Sequence, residues 1–394
     1  MKRTRTQIGI VGAGPAGLML AHLLHLEGID SVVIENRSRS YIETRLRAGL
    51  LEQGSADLMI ETGVGDRLVR ERLLHHGTYI KYNAEMHRID FADLVGKSVM
   101  IYAQQEVVKD LVAARLDYKE PIVFEVGDVS LDGLKSDKPS VNFTAGGEQN
   151  VLDCDFIAGC DGFHGISRPT IPASERREFE RDYPFAWLGI LADAAPTEKE
   201  LVYTHHQRGF ALLTMRSSSV SRLYLQCPRE DDIANWSDDR IWDELRIRTA
   251  GEGNPLSEGP ITQKGITDMR SFVVEPMQYG RLFLAGDAAH IVPPTGAKGL
   301  NLAIADVRIL AHALAAFYKH GRTDLLEAYS RICLRRVWMV QRFSWWVTSL
   351  LHCFADDNAF DERRQLAEID YVTHSRAGQM TWAENYVGLP LELP

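Results

Sequence analysis

The first 35 residues switch between two spacings of hydrophobic side chains. Gln7–Val11 and Ser31–Glu35 are short apolar runs, which are typical of buried strands. Pro15–Leu26, between them, carries apolar residues three and four positions apart, which is the spacing of a helix with a buried face. A strand, a helix and a second strand in this order predict a βαβ unit.

The middle of the chain is predicted to hold mostly short strands. Val99–Tyr102 and Glu106–Arg115 indicate a further strand and helix, and residues 122–151 alternate in short strands with turn residues between them. Phe156–Ala158 is a brief buried strand, and residues 183–230 are rich in strand-forming patterns.

Helices dominate the prediction from residue 236 onward. Residues 236–250 have helical spacing, Arg281–Ala285 is one more buried strand, and a long helix begins at Gly299. The C-terminal third is predicted to be helical. Because no internal repeat or long linker separates these segments, we expect an α/β fold whose domains are interleaved along the chain.

Length and charge narrow the class of protein. The 394 residues predict two or three domains, or one large α/β unit with insertions. Lys and Arg number 44 against 54 Asp and Glu, and the net charge of −10 argues against nucleic acid or an anionic membrane as partner. The sequence has no continuous run of 18 apolar residues, so we expect no membrane span.

The five cysteines indicate a reduced, cytoplasmic protein. Their number is odd and they form no Cys-x-x-Cys pair, so we predict neither a disulfide framework nor a metal site. Lys2, Arg3 and Arg5 precede an apolar stretch as in a signal peptide, but glycines, a proline and two histidines interrupt that stretch. We therefore expect no signal peptide.

A glycine-rich motif joins the first strand to the first helix. Gly12, Gly14 and Gly17 form a Gly-x-Gly-x-x-Gly pattern, and Glu35 ends the following strand. In this setting glycines let the backbone approach a pyrophosphate at a helix N-terminus, and the carboxylate accepts hydrogen bonds from a ribose. The alternative is a tight strand–helix turn without a ligand. The motif does not distinguish FAD from NAD(P).

Two later segments resemble motifs of the flavoprotein hydroxylases. Asp155–Arg168 contains Asp161-Gly162 after a short strand, and Gly286–His290 contains Asp287 after another. Several further segments carry the same similarity. They are Arg47-Ala48-Gly49, Glu52-Gln53-Gly54, Phe272–Met277, Ile291–Asn301 and Glu384–Pro390. Over nearly its whole length the chain resembles the single-component FAD-dependent aromatic hydroxylases, whose prototypes are the 4-hydroxybenzoate 3-monooxygenases.

That resemblance implies an FAD-binding Rossmann-like βαβ domain interleaved with a β-sheet substrate domain and a C-terminal helical region. We predict the first part of the FAD-binding domain in residues 1–180 and the substrate-binding domain in 181–270. The FAD-binding domain returns in 271–330, and a helical interface region follows in 331–394. Because the family is dimeric, we expect a homodimer that uses the tryptophan-containing C-terminal helices.

The resemblance also implies a set of FAD-binding residues. They are Gly12, Gly14, Gly17, Glu35, Arg47, Gln104, Asp161, Arg222, Asp287, Gly296, Leu300 and Asn301. In the family, the aspartate at the position of Asp287 holds the ribityl chain of FAD, a role that suits a carboxylate at a strand end. Arg222 is a candidate controller of flavin movement.

Hydroxylation of an aromatic ring requires an electron-rich ring, and a phenolate is richer in electrons than a phenol. An unperturbed phenol has a pKa of about 10, so the site must stabilise the anion or move its proton away at neutral pH. The resemblance implies that Tyr203 contacts the phenol, Tyr386 continues the relay and His75 passes the proton to solvent. Pro294 would offer its carbonyl group. Without the family pattern, a packed tyrosine and a surface histidine are the ordinary interpretation.

A substrate carboxylate requires a cation and hydrogen-bond donors. Arg216 can bind it bidentately, and the resemblance adds Tyr224 and Thr214 as contacts. Two positions depart from the family prototype, which has serine in place of Thr214 and an aromatic residue in place of Leu223. A threonine hydroxyl still donates, but both changes leave the tolerance for ring substituents open.

The family binds NAD(P)H in a surface groove rather than on a second Rossmann domain. The matching residues are Arg37, Tyr41, Arg45, His164, Arg168 and Arg270. Basic residues within 36–47 favour a 2′-phosphate and hence NADPH. Asn36 stands where the NADPH-specific prototype has arginine, so NADH is an alternative co-substrate.

These features predict an enzyme that inserts one atom of O2 into a phenolic acid, with FAD as cofactor and NAD(P)H as reductant. The preferred substrate is 4-hydroxybenzoate, which would give the 3,4-dihydroxy acid. The alternatives are a hydroxylase of the 3-hydroxy or 3,4-dihydroxy acid, a non-catalytic FAD-binding protein and a plain NAD-binding dehydrogenase. The Tyr203 and Tyr386 pair favours a para-hydroxyl group.

Overall fold

The computed structural model describes residues 1–45, 47 and 49–393. Ala48, in one of the segments that carry the resemblance, lies outside the described residues. Eight strands come first. They are β1 (Lys2–Arg5), β2 (Ile8–Val11), β3 (Ser31–Ile34), β4 (Leu50–Leu51), β5 (Leu73–His75), β6 (Gly77–Tyr82), β7 (Glu85–Asp90) and β8 (Val99–Ile101). Between them lie α1 (Pro15–Leu26), α2 (Arg39–Thr44), α3 (Gln53–Glu61), α4 (Asp66–Glu71) and α5 (Phe91–Val95).

The middle and the end of the chain alternate less regularly. The next elements are α6 (Gln104–Asp117), β9 (Ile122–Val123), β10 (Gly127–Asp132), β11 (Ser140–Ala145), β12 (Glu148–Asp153), β13 (Phe156–Gly159) and α7 (Ser167–Thr170). Then follow β14 (Arg177–Ala192), β15 (Val202–Thr204), β16 (Ala211–Met215), β17 (Ser221–Pro228), α8 (Asp238–Arg248), β18 (Ile261–Glu275), β19 (Gln278–Tyr279), β20 (Leu282–Leu284) and β21 (His290–Ile291). The last helices are α9 (Gly299–His320), α10 (Asp324–Leu351), α11 (Ala359–His374) and α12 (Arg376–Tyr386).

The predicted elements are confirmed, with small shifts at their ends. α1 has the predicted bounds, the helix expected in 236–250 is α8, and the strand expected in Arg281–Ala285 is β20. The long helix begins at Gly299, and the C-terminal third is helical as predicted.

A largely parallel sheet forms the first layer of the fold. Its strand order is β19-β20-β13-β2-β3-β9, and Ile8 in β2 lies opposite Ser31 on one side and Phe156 on the other. All of β2 is buried, as expected for a parallel strand that is covered on both faces. Strands from distant parts of the chain share this sheet, which confirms the interleaved α/β fold.

Helix α1 packs on β2 and β3 of this sheet, α6 and α9 pack against α1, and α10 packs against α9. Their apolar side chains and those of the sheet form one hydrophobic core. Within the described residues, α9 is the one helix long and apolar enough to cross a membrane, but 72% of its most apolar window is buried inside the protein. A helix that is apolar all round is also what the core of a large protein requires.

An eight-stranded sheet forms the second layer, in the order β21-β18-β14-β17-β16-β15-β6-β7. β14 and β18 pair in antiparallel fashion from Arg177 opposite Glu275 to Ala192 opposite Ile261. One face of the sheet packs on a core shared with α10, α11 and α12, and the other face packs on a core shared with α8. Alternate residues along each strand therefore enter different cores.

Two smaller sheets have the orders β1-β12-β11-β10 and β4-β8-β5. The second of these holds His75, which lies opposite Val99. Asn301 fastens β4 to α9, because its amide donates to the Leu50 carbonyl oxygen (3.0 Å) and accepts from the Glu52 N–H (2.8 Å).

Candidate active site

Two glycines of the glycine-rich loop lie so close to other backbone atoms that neither has room for a side chain. A Cβ on Gly12 (φ +104°) would lie 2.4 Å from the Cys160 carbonyl oxygen, and one on Gly17 would lie 2.0 Å from the Gly12 carbonyl oxygen. A Cβ on Gly14 would meet no atom within 4 Å. The fold itself therefore requires Gly12 and Gly17, whereas the space above Gly14 is open to a ligand.

The N-terminus of α1 suits an anion. Gly14 is the N-cap and supplies no side-chain cap, and Pro15 follows it. Glu35 accepts hydrogen bonds from the N–H groups of Ala13 (2.7 Å) and Arg37 (2.8 Å), which fixes the loop. Because a carboxylate has about four lone-pair sites, Glu35 keeps acceptors for a ribose. The uncapped N–H groups and the helix dipole favour a phosphate.

Both aspartate motifs follow strands of the parallel sheet. β13 and β20 are parallel neighbours, so Asp161 and Asp287 come after strand ends at the same edge. Asp161 Oδ2 accepts from the N–H (2.8 Å) and the hydroxyl (2.9 Å) of Ser167, whereas Oδ1 is buried without a hydrogen-bond partner among the described residues. Burial raises the pKa of Asp161. Its unpartnered oxygen can accept a hydrogen bond from a ligand.

The Asp287 carboxylate faces open space although protein surrounds most of it. Burial raises its pKa, and the nearby His290, Arg47 and Arg45 oppose that shift. The open space above Gly14, the uncapped helix and the two aspartates lie at the carboxyl ends of neighbouring parallel strands, which is where dinucleotides bind in such sheets. The residues present therefore fit FAD.

The other predicted FAD residues come from three elements. Asn301 uses its side-chain amide to hold the β4 segment. Leu300 is half-buried at the start of α9, and Gln104 is half-buried at the start of α6. Gly296 is buried so closely against α10 that a Cβ on it would lie 2.9 Å from Ser344 Oγ. Their contacts with the flavin stay predictions.

One face of the β16–β17 pair gathers three of the predicted residues. Thr214 lies opposite Arg222, and Leu212 lies opposite Tyr224. Residues opposite each other in an antiparallel pair share a face, as do residues two positions apart. The Arg222 guanidinium lies 5.1 Å from the centre of the Tyr224 ring, and its Nε has no partner within the described part of the chain.

Leu223 points to the other face of the sheet. It is buried in the core that α8 covers, away from Thr214, Arg222 and Tyr224. Because alternation along the strand turns Leu223 away, any effect of this position on the tolerance for ring substituents would be indirect. Thr214 is the substituted position that shares the face of Arg222.

Arg216 follows β16 in the hairpin that leads to β17. Its guanidinium donates to the Arg47 carbonyl oxygen, and its Nε is buried without a partner among the residues described. Burial lowers the pKa of Arg216, and the Tyr224 phenol opposes that shift. A guanidinium with unused donors in a buried position is suited to a carboxylate.

Tyr203 and Tyr386 form a buried pair, with exposed fractions of 1% and 0%. Their hydroxyl oxygens lie 2.6 Å apart, and the single Tyr203 O–H donates to the Thr295 carbonyl oxygen (3.2 Å), which leaves Tyr386 as the donor between the two phenols. Burial raises the pKa of both phenols. Both are therefore neutral near pH 7, and the structure brings the two predicted relay residues together.

His75 does not complete the predicted relay in a direct way. It is buried, and neither ring nitrogen has a hydrogen-bond partner in residues 1–45, 47 and 49–393. Burial lowers the pKa of His75 to about 4, so the ring is neutral near pH 7. Pro294 opens a short turn and is exposed, in contrast to the buried Thr295 beside it. The roles of His75 and Pro294 stay predictions.

The predicted NAD(P)H residues form two groups. Arg37 and Arg45 lie 5.2 Å and 5.8 Å from the centre of the Tyr41 ring. The second group surrounds Phe163, a residue that the sequence reasoning missed within the Asp161-Gly162 segment. Its ring lies 4.4 Å from the Arg168 guanidinium, 5.0 Å from that of Arg270 and 5.1 Å from the His164 ring.

A buried ion pair beside Tyr386 was also missed. Lys298 Nζ lies 2.7 Å from Glu52 Oε1 and donates to the Tyr386 carbonyl oxygen (2.8 Å). Burial lowers the pKa of Lys298, and Glu52 opposes that shift. Glu52 and Lys298 both lie in segments that carry the family resemblance. Each is a charged residue in an otherwise apolar or glycine-rich motif, and this feature of the sequence could have indicated them.

Comparisons with known proteins bear on the family of the chain. The chain matches a family model described as an FAD binding domain over residues 5–344. It is 48% identical over 395 residues to a p-hydroxybenzoate hydroxylase of Acinetobacter baylyi, which covers 100% of this chain and 98% of that protein. A rifampicin monooxygenase of Streptomyces venezuelae is 29% identical over 318 residues, which cover 78% of this chain and 63% of that protein.

Among solved structures, a p-nitrophenol 4-monooxygenase from Pseudomonas putida shares the fold. Its TM-score is 0.83 at 19% identity, with coverage of 99% of this chain and 100% of that one. The chain belongs to the family of FAD-dependent aromatic hydroxylases. It is an FAD-dependent aromatic monooxygenase, so the alternatives of a plain dehydrogenase and of a non-catalytic flavin-binding protein are set aside.

Proposed function

We propose that this monooxygenase converts 4-hydroxybenzoate to 3,4-dihydroxybenzoate, with O2 as oxygen donor and NADPH as reductant. The observation that carries the proposal is a buried Tyr203–Tyr386 hydrogen bond, with Tyr203 in the same row of the sheet as Tyr224, while Arg216 keeps a buried Nε without a partner among the described residues. Tyr224 interacts electrostatically with both Tyr203 and Arg216, which supports one pocket with a phenol end and a carboxylate end. The 48% identical relative is named a p-hydroxybenzoate hydroxylase, which supports the same substrate.

At the phenol end, the tyrosine pair would take up the substrate proton. A hydroxyl group is one donor and two acceptors, so Tyr203 can accept from the substrate once its own proton turns from the Thr295 carbonyl oxygen to Tyr386. Since burial raises the pKa of both tyrosines, the proton would pass along hydrogen bonds without a long-lived tyrosinate. His75 would receive it through intervening water and pass it to solvent.

At the other end, Arg216 would bind the substrate carboxylate. Its buried Nε has no partner among the described residues, and a carboxylate would satisfy it in a bidentate arrangement. Thr214 and Tyr224 supply hydroxyl groups to the same anion. The Thr214 methyl group would narrow this end of the pocket relative to serine, and we propose that it limits substituents next to the carboxylate.

When bound, FAD supplies hydride acceptance and oxygen activation, chemistry that side chains alone do not perform. The protein would hold its pyrophosphate at the N-terminus of α1, its ribose at Glu35 and its ribityl chain at Asp287. Arg222, Gln104 and the start of α9 would border the flavin ring. The surrounding side chains would orient the substrate and exclude water.

NADPH would bind across the two surface groups centred on Tyr41 and Phe163. Arg37 and Arg45 are exposed beside Tyr41, and guanidinium groups suit a 2′-phosphate. His164, Arg168 and Arg270 would contact the remainder of the dinucleotide. NADH is the second candidate because Asn36 replaces the arginine of the NADPH-specific prototype.

We also propose a cytoplasmic homodimer with the domain division given above. Trp338 and Met339 in α10 are 41% and 39% exposed, and Trp345 is 44% exposed; such side chains on one helix favour an interface. Because β6 and β7 pair within the eight-stranded sheet, the substrate-binding part would include Gly77–Asp90 in addition to 181–270.

The deciding experiment measures NADPH oxidation by the purified holoenzyme with and without 4-hydroxybenzoate, and assays the product by chromatography. We expect stimulated oxidation and one 3,4-dihydroxybenzoate per NADPH. The 3-hydroxy and 3,4-dihydroxy acids, tested alongside, should stimulate less. Stimulation that yields only hydrogen peroxide would mean that 4-hydroxybenzoate fits but is not the substrate, and hydroxylation of another acid would move the assignment to it.

The variant Arg216→Gln tests the carboxylate end of the proposal. Loss of one charge-assisted bidentate pair should raise the KM for 4-hydroxybenzoate by about 10- to 100-fold. The matched control is Arg240→Gln, which removes a guanidinium that lies over Trp236 on the far side of the substrate sheet. An unchanged KM in the Arg216 variant would show that the carboxylate binds elsewhere.

A further inference from the structure

A buried histidine–aspartate pair joins α9 to the segment Gly286–His290. His290 Nε2 lies 2.6 Å from Asp306 Oδ2, and each side chain is 2% exposed. The same Asp306 oxygen accepts the Gly286 N–H at 3.0 Å. One carboxylate therefore holds both ends of the segment that contains Asp287.

The charge state of this pair follows from its surroundings. Burial lowers the pKa of His290, but Asp306, through charge and a hydrogen bond, and Asp287, through charge, together raise it above its ordinary value. These surroundings favour the protonated ring, which donates to Asp306. Tyr329 and Cys333 of α10 and Cys160 after β13 also face Asp306, and burial raises the pKa of each of them, so they are uncharged.

Protonated His290 also acts on Asp287. Burial favours the neutral form of the Asp287 carboxyl, whereas His290 lowers its pKa, as Arg47 and Arg45 do from the loop before β4. His290 thus lies between Asp306 in the core and Asp287 at the open face of the site. The His290 cation compensates two carboxylates, of which only Asp287 is accessible.

We propose that His290 and Asp306 are positioning residues for FAD, which hold Asp287 in place and in its ionised form. This inference rests on the proposed contact between Asp287 and the ribityl hydroxyl groups. An ionised carboxylate accepts hydrogen bonds from hydroxyl groups more strongly than a neutral carboxyl does. Neither residue touches the cofactor in this role; each acts through Asp287 and the Gly286 backbone.

The inference predicts how the affinity for FAD depends on pH. Below the raised pKa of His290 the cation is present and favours the ionised form of Asp287. As the pH rises through that pKa, His290 loses its proton, Asp306 is left without a buried counter-charge and the FAD dissociation constant increases. Asp306→Asn removes the carboxylate that raises the pKa of His290, so the same increase should occur at lower pH.

The experiment titrates the apoprotein with FAD and follows flavin fluorescence between pH 6 and pH 9. We expect His290→Asn to raise the dissociation constant by about tenfold at pH 6.5, the effect of one hydrogen bond to a charged group, and to flatten its pH dependence. Asp306→Asn should bind FAD almost as well as wild type at pH 6 and lose affinity at a lower pH than wild type.

A matched control separates positioning from stability. Glu244→Gln breaks another buried ion pair, with Arg248 in α8, and should lower the melting temperature of the apoprotein without changing the FAD dissociation constant. If both His290→Asn and Asp306→Asn lower the melting temperature but keep the wild-type FAD affinity within twofold from pH 6 to pH 9, the inference is overturned. A wild-type protein that fails to bind FAD would contradict the cofactor assignment instead.

If Asp306→Asn fails to fold, His290→Asn still decides, because the imidazole is replaced by a neutral side chain that can keep one hydrogen bond. Its FAD affinity must then fall and lose its pH dependence for the inference to stand.

Discussion

Tyr203 and Tyr386 lie 183 residues apart in the chain and 2.6 Å apart in the fold. Nothing local to either residue distinguishes it from a packed core tyrosine, and both are as buried as one. Family resemblance indicated both, whereas their contact depends on the folded structure. The same holds for Lys298 and Glu52, whose pairing no local pattern predicts.

Replacing Tyr386 with phenylalanine removes one hydroxyl group and little volume. If the pair relays the substrate proton, we expect kcat to fall by about 100-fold, the lower range for general acid–base catalysis. The dissociation constant for 4-hydroxybenzoate should change less than threefold, because Tyr203 still contacts the phenol. Stopped-flow measurement of product formation and a substrate titration separate the two effects.

Tyr183→Phe is the control for that substitution, since Tyr183 is an equally buried tyrosine whose hydroxyl pairs with Ser271 (3.3 Å). It should retain wild-type kcat. Equal losses of kcat in both variants would indicate a general packing effect rather than a proton relay at Tyr386.

The elements differ in how far local sequence determines them. The β2–α1–β3 unit lies within 35 residues. The spacing of its apolar side chains predicted the bounds of α1, and its glycine motif predicted that the N-terminus of α1 binds an anion. The register of β16 on β17 was not predictable in the same way, because it depends on the hairpin that joins them. The structure places Thr214, Arg222 and Tyr224 on one face of the sheet and Leu223 on the other.

Two glycines of the same loop should respond differently to alanine. In Gly17→Ala the new Cβ would lie 2.0 Å from the Gly12 carbonyl oxygen, so we expect a loss of about 1–3 kcal/mol in stability from overpacking. In Gly14→Ala the Cβ meets no protein atom within 4 Å, so the apoprotein should melt at the wild-type temperature. The methyl group would instead occupy the space predicted for the pyrophosphate and raise the FAD dissociation constant about tenfold or more.

Calorimetry of the apoproteins and FAD titration check both variants. The interpretation of Gly14 fails if its alanine variant binds FAD as wild type does, because the open space would then not be used by the cofactor.

At the scale of the whole molecule, the site is made where distant segments meet. β2, β13 and β20 bring three motifs to one sheet edge, and α9 holds two of the surrounding segments through Asn301 and Asp306. The sequence indicated each motif and the interleaved order of the layers. The sequence could not predict the hydrogen bonds that Asn301 and Asp306 make to these segments, because a buried aspartate in an apolar helix differs from its neighbours only in its charge.

The proposed homodimer is a property of the whole molecule that the exposed face of α10 makes testable. A specific interface buries about 800 Å² per subunit, and a large aromatic side chain at its centre contributes strongly. Trp345→Glu places a charge on that face, where Trp345 is 44% exposed. We expect sedimentation at micromolar concentration to shift from dimer to monomer.

Ile247→Glu provides the control, because Ile247 is 45% exposed on α8, a helix on the opposite face of the substrate sheet from α10. It should leave the dimer intact and thus exclude a general effect of surface charge. A two-fold symmetric contact presents the same patch twice, so a single substitution introduces two charges into one interface. A dimer that survives Trp345→Glu would therefore place the interface away from this part of α10. Since Tyr203, Tyr386, Tyr224 and Arg216 all belong to one chain, we expect the monomeric variant to retain 4-hydroxybenzoate binding, which makes the oligomeric state and substrate binding separately measurable.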